Sequence, residues 1–89
     1  MVNEKRYEDE LEEFDELLED TRQTVISEVI AARHNKGISQ KKLEELSGVK
    51  QPVIARMEKG RTNPTLDTIL KALQPLGMTL KVVSTEEDE

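Results

Sequence analysis

The chain has 89 residues, no cysteine, one histidine and a formal net charge of -6. A chain of this length supports one small domain that buries only roughly 60 to 65 % of its unfolded surface. Without thiols there is no disulfide framework and no thiolate metal site, and a lone histidine completes no usual zinc set, so no metal or cofactor is expected. No apolar run approaches the roughly 20 residues of a membrane span, and the N-terminus is acidic where a secretion signal is basic and then apolar. The expectation is a cytoplasmic protein without a membrane partner.

The charge is segregated along the chain. Residues 1–20 hold ten acids and two bases, residues 21–83 five acids and eleven bases, and residues 84–89 four acids. Evenly spread negative charge would repel nucleic acid. A basic module between two acidic ends instead suggests different partners for different parts. The corresponding division is an acidic amphipathic leader over residues 1–20, a DNA-binding domain over 21–77, and a C-terminal strand with an acidic tail over 78–89.

In chain order, Tyr7, Leu11, Phe14 and Leu18 recur at spacings of four, three and four, which predicts an acidic helix over about residues 4–19 with a single apolar stripe. That stripe either packs on the protein's own core or meets a partner. A second helix over about 21–35 carries Val25, Ile26, Val29, Ile30 and Ala32 on a broader apolar face and stops at Gly37. Ser39 then caps a short helix with Leu43 and Leu46 on one side, and Gly48 supplies the positive φ at which it ends. The next helix, about 51–59, turns Val53, Ile54 and Met57 inward and Gln51, Ala55 and Arg56 outward before Gly60 closes it. Pro64 ends a basic loop, and Thr65 caps a helix whose expected buried face is Leu66, Ile69, Leu70 and Leu73, stopped by Pro75 and Gly77.

Residues 78–83, MTLKVV, alternate as a strand does, with Met78, Leu80 and Val82 on one side. No second strand is evident, and a lone strand leaves its backbone groups unpaired. Pairing with a second copy across a two-fold axis would satisfy them and set two recognition helices roughly 34 Å apart, one turn of DNA. The alternative is an extended tail that packs by side chains alone. The predicted architecture is all-α: five helices with a helix-turn-helix, an acidic N-terminal helix and a short dimerising C-terminal β-strand.

Residues 37–65 carry the helix-turn-helix signature. Helical hairpins with a glycine turn also occur in proteins that touch no DNA. DNA is favoured by the polar, basic outer face of the second helix and by Lys59, Arg61 and Thr62 directly after it, where phosphates lie. Catalysis finds no support. His34 has no accompanying nucleophile and base, and Glu12, Glu13, Asp15 and Glu16 lie mostly on one solvated helix without a pocket.

The stretch ISQKKLEELSGVKQPVIARMEKGRTNPTLDTILKAL resembles the helix-turn-helix domain of the phage lambda repressor and Cro family, the XRE family, over roughly residues 23–74. With its acidic leader and terminal LGMTLKVV, the whole chain resembles more narrowly the HigA-type antitoxins. That resemblance implies a homodimer that represses its own operon on double-stranded DNA and neutralises a HigB toxin, a ribonuclease of the RelE type. It implies a phosphate contact and an orienting role for Gln40, a DNA-facing position for Lys50, Gln51, Pro52, Val53 and Arg56, and backbone contacts for Lys59, Arg61 and Thr62. Arg33 and Glu58 match a structural ion pair of the family. The chain departs from related sequences in lacking small hydroxyl residues at Lys50, Pro52 and Val53, and the proline opens the possibility that Gln51 caps its helix from outside.

On this reading the toxin would be met by Tyr7, Leu11, Phe14 and Leu18, and dimerisation would use Met78, Leu80 and Val82. Two alternatives stand beside it: a stand-alone XRE-family repressor without a toxin partner, and an adaptor that has lost DNA binding.

Overall fold

The computed structural model describes residues 4–86, with side chains from Glu8 onward. The Tyr7 side chain and the last residues of the acidic tail lie outside the described residues. Four helices occur among them: α1, Glu4–Asn35; α2, Gln40–Ser47; α3, Gln51–Glu58; and α4, Leu66–Leu73, followed by a 3₁₀ turn at Gln74–Leu76.

The two helices expected over residues 4–35 are one. Its 32 residues make a rod about 48 Å long. Nothing between Glu19 and Thr21 breaks it: there is no glycine or proline there, and side-chain bonds bridge the expected junction. Arg22 donates to Glu19, Gln23 Nε2 donates to Glu19 Oε1 at 3.2 Å, and the Thr24 hydroxyl donates to the Asp20 carbonyl at 2.9 Å. Such pairs three and four residues apart stabilise a continuous helix.

The core is built on the second half of α1. Ile26 and Val29 meet Leu43 of α2, Val49 of the turn, Ile54 and Met57 of α3, Ala72 and Leu73 of α4, and Leu76. Each fully buried large aliphatic side chain contributes about 1.5–3 kcal/mol relative to exposure. Ile30, Ala32, Ile38, Val53 and Ile69 pack around this centre.

Several expected core positions are not in it. Leu46 is exposed, as are Leu66 and Leu70. Helix α4 has only eight residues, and it turns Ala72 and Leu73 to the core with Ile69 half-buried. At 3.6 residues per turn, Leu66 and Leu70 then fall at the rim. From residue 11 on, the leader stripe is largely uncovered: Leu11, Phe14, Leu17 and Leu18 are 42–61 % exposed.

The C-terminal strand does not form. Residues 78–86 carry no regular structure, and no strand is present among the described residues. The Met78 N–H still reaches the Leu73 carbonyl at 3.1 Å, but residues 79–83 make no backbone–backbone hydrogen bond. The reason is the one the pattern raised, since a β-ladder needs a neighbour and no other segment among the described residues supplies one.

Candidate nucleic-acid interface

Helix α2 starts because Ser39, in extended conformation, accepts the Lys42 N–H on its hydroxyl at 3.0 Å. It stops at Gly48, where φ is +79° and the N–H closes on the Glu44 carbonyl at 2.8 Å. A side chain is strained in that left-handed conformation, so glycine is what allows a turn this short. Ser47 then accepts the Val49 N–H at 3.0 Å and Val49 is buried, which carries the chain directly into α3.

Helix α3 begins without a side-chain cap of the usual kind. Lys50 is the N-cap residue, and Gln51 lies inside the helix as its first residue. The start is nevertheless well satisfied. The Val53 and Ile54 N–H groups both donate to the Lys50 carbonyl, at 2.9 and 3.1 Å, and Pro52 has no N–H to satisfy. Glu44 of α2 supplies negative charge at this helix end. The Lys41 ammonium first, and then the Gln51 backbone N–H, hold its carboxyl below the usual glutamate range. An acid at a helix N-terminus is favourable. The role of Glu44 escapes a reading of the residues one at a time; its signal is the absence of any acceptor on Lys50 at an N-cap position.

A buried polar cluster fixes α3 against the rest of the domain. Arg33 of α1 grips Glu58 with both arms: Nε to Oε2 and Nη2 to Oε1, each at 2.7 Å. Its third nitrogen, Nη1, donates to the Ile38 carbonyl at 3.0 Å. Gln40, the first residue of α2, donates to Glu58 Oε1 at 3.0 Å. The Arg33 and Glu58 side chains are only 11 % and 8 % exposed. Burial pushes the Glu58 carboxyl up, but the hydrogen bonds from Arg33 and Gln40 outweigh it and hold the group below its ordinary value. One carboxylate thus ties α1, α2 and α3 together, and Gln40 spends part of its amide on that bond.

With Ile54 and Met57 buried and Val53 half-buried, the outer arc of α3 is Gln51, Pro52, Ala55 and Arg56, continued by Lys59. Pro52, Arg56 and Lys59 are exposed, and Gln51 and Ala55 are partly so. Val53 faces the core side and is the least available of the expected DNA-facing residues. The loop after α3 is closed by the Arg61 N–H on the Arg56 carbonyl at 3.2 Å. It carries Arg61 exposed and Thr62 partly covered. Lys50, Arg56, Lys59 and Arg61 make no ion pair among the described residues, whereas Lys41, Lys42 and Lys71 are paired with Glu44, Glu45 and Asp67. Four cations outside any ion pair thus lie along one helix and its flanking turns.

The expected leader and dimer residues lie elsewhere. Leu18 lines an apolar cleft of about 190 Å³ with Val25, Pro64, Ile69 and Leu80. Leu80 and Val82 border a second, shallower groove against Val25, Leu66 and Leu70. Val82 is 97 % exposed.

A braced pair of short helices joined by a glycine turn, the second with an exposed cationic face, defines a helix-turn-helix module. The family described as helix-turn-helix matches residues 29–83, and the chain belongs to that family, of the XRE type. Membership makes the matched residues a DNA-binding regulator domain rather than an enzyme domain. A transcriptional regulator of Haemophilus influenzae is 63 % identical over 62 residues, 70 % of this chain and 63 % of its own length. The chain therefore spans less than two thirds of that relative. The regulator y4dJ of Sinorhizobium fredii is 36 % identical over 70 residues, covering 79 % of this chain and 91 % of its own. Among solved structures, a toxin-antitoxin module from Streptococcus pneumoniae superposes with a TM-score of 0.68 at 57 % identity, covering 97 % of this chain and 96 % of the other. No helix among the described residues is long and apolar enough to cross a membrane.

Proposed function

We propose that this chain is the antitoxin of a toxin-antitoxin pair, of HigA type, which represses its own operon as a dimer and neutralises a HigB/RelE-type mRNA-cleaving toxin in the cytoplasm. The observation that carries the reading is the likeness to the pneumococcal toxin-antitoxin module. It holds at 57 % identity over 97 % of the chain, so it includes the acidic leader as well as the DNA-binding domain. A repressor acting alone has little use for an exposed acidic helix with an apolar stripe.

At the operator, α3 enters the major groove, about 12 Å wide. Gln51 and Arg56 read base edges, and Lys50, Lys59, Arg61 and Thr62 hold phosphates. Pro52 shapes the start of the helix. Val53 contributes by packing and by apolar contact where it emerges. Gln40 acts mainly by orienting α3 through Glu58. Pairing of Met78, Leu80 and Val82 with the same segment of a second copy supplies the missing ladder and doubles the phosphate contacts, so operator affinity falls steeply with salt. Replacing Arg61 with alanine is expected to lower affinity about equally for specific and nonspecific duplexes and to reduce the salt slope by about one, whereas Arg56→Ala relaxes sequence preference. An unchanged salt slope in the Arg61 variant removes it from the contact set.

The test is co-expression with the protein encoded next to it, scored for growth rescue and for co-purification. Rescue with a stable complex supports the antitoxin. If the neighbour is neither toxic nor bound, the stand-alone repressor becomes the better reading, and the regulator names of the Haemophilus and Sinorhizobium relatives favour it.

A further inference from the structure

Two leucines of α4 have no place in the core. Leu66 is 62 % exposed and Leu70 lies at the rim, four residues on and therefore on the same side of the helix. With Val25 they wall a groove of about 440 Å³ whose other side is Thr79, Leu80 and Val82 of the C-terminal segment. In that segment residues 79–83 make no backbone–backbone hydrogen bond, and Val82 is almost wholly exposed. An uncovered helix face and an unpaired, strand-patterned segment thus border one recess. A two-stranded ribbon formed by residues 78–83 of two copies is at best marginally stable in water unless further strands or a helix back it, and a stable association buries roughly 1,200 Å² or more in total. The ribbon alone is too little, and the helix that can back it is α4.

From this juxtaposition we infer that the groove is filled by a second copy of this chain, with Leu66 and Leu70 of each copy packed on the apolar side of the other copy's C-terminal segment, so that the paired strands are backed by a helix from both subunits. Charge favours a copy as the occupant here and nowhere else on the molecule. A two-fold axis sets a surface against itself, so a face of one sign repels its own copy. Residues 1–20 hold ten acids, and the α3 edge carries four cations outside any ion pair. The groove has one charged wall, Lys81, and the neighbouring acid of α4, Asp67, is already paired with Lys71 at 3.0 Å. The inference rests on the dimer reading proposed above and adds a helix layer to its ladder.

The experiment measures the monomer–dimer equilibrium of the full chain by sedimentation, with circular dichroism of each variant as a check on its helices. Leu66→Glu places an acid in the first turn of α4, where a helix accepts one readily, and Leu70→Ala removes apolar bulk at the rim. Each is expected to raise the dimer dissociation constant by at least about tenfold, as loss of a central anchor does, with helix content unchanged. Lys81→Pro and Val82→Pro test the ladder separately. Successive N–H groups of a strand point to opposite edges, so one of the two prolines deletes a donor from the pairing and is expected to weaken the dimer as well. Dimers as tight as that of the unaltered chain in both leucine variants overturn the helix layer, and the ladder still stands if a proline weakens association. Weakening by the leucine variants with no effect of either proline removes the ladder, and with it the packing on it inferred here. A full chain that stays monomeric at every concentration overturns both.

Discussion

Between Val25 and Arg33, α1 buries Ile26 and Val29 completely or nearly so and draws the Arg33 guanidinium into an ion pair; between Leu11 and Leu18, the same helix leaves all four large apolar side chains 42–61 % exposed. Both halves show helical periodicity of apolar residues, and both are helix without interruption. What differs is the company. The second half has α3 and the Gln74–Leu76 turn packed against it, and the first half has acids on its flanks and little cover before Leu18. An amphipathic stripe therefore says that a surface exists for burial and does not say by whom. In this molecule one stripe is used for folding and the other is left largely exposed.

The largest effect is expected at the polar cluster. Removing one partner of a buried pair leaves an uncompensated charge, so Glu58→Ala should cost about 3–5 kcal/mol, a large part of the roughly 5–15 kcal/mol that holds a small domain together. Urea unfolding measures it, and a loss under about 1 kcal/mol would show that the cluster does not tie the helices. Because the Glu58 carboxyl is held below its ordinary value of 4.5, its contribution is fully present above that pH and is lost as the pH falls through the depressed value. Acid titration of unfolding should show that loss in the unaltered chain and lack it in Glu58→Gln.

The next contrast sets the two stripes against each other directly. Leu43→Ala, at a fully buried site, should cost about 2–5 kcal/mol. Phe14→Ala in the leader should change the stability of the free chain by no more than about 0.5 kcal/mol. Equal losses would mean that the leader folds back on the domain in solution. The smallest expected effect is local. Thr65 caps α4 by accepting the Thr68 N–H at 3.2 Å, and Thr65→Ala should cost about 1 kcal/mol.

Much of the DNA-facing half is legible in the amino acids, because its signals are local. Ser39 and Thr65 announce helix starts through their hydroxyls, Gly48 and Gly60 mark left-handed stops after α2 and α3 at φ of +79° and +71°, and Leu43, Ile54 and Met57 declare the inner faces. Arg33 and Glu58 are 25 residues apart, so no local pattern links them, and only resemblance to the XRE family pairs them. The single long α1 is missed because a change in composition at residue 20 looks like a boundary, although the backbone obeys only breakers and side-chain bridges such as Thr24 to Asp20. Leu46, Leu66 and Leu70 mislead because periodicity gives a face and not the depth of its burial. Strand-like alternation in residues 78–83 is equally incomplete, since a ladder is a property of two segments.

We propose that one chain presents two separate faces, α3 with its flanking basic turns for DNA and the leader for a protein. Amide hydrogen exchange of the full chain, measured alone, with a duplex carrying its own promoter, and with the protein encoded next to it, tells the two faces apart. Slowed exchange over residues 50–62 with the duplex, and over residues 11–25 with the protein, is the predicted result. Protection of the same residues by both ligands, or a leader that exchanges as fast with the protein as without it, would show that the two faces are not separate.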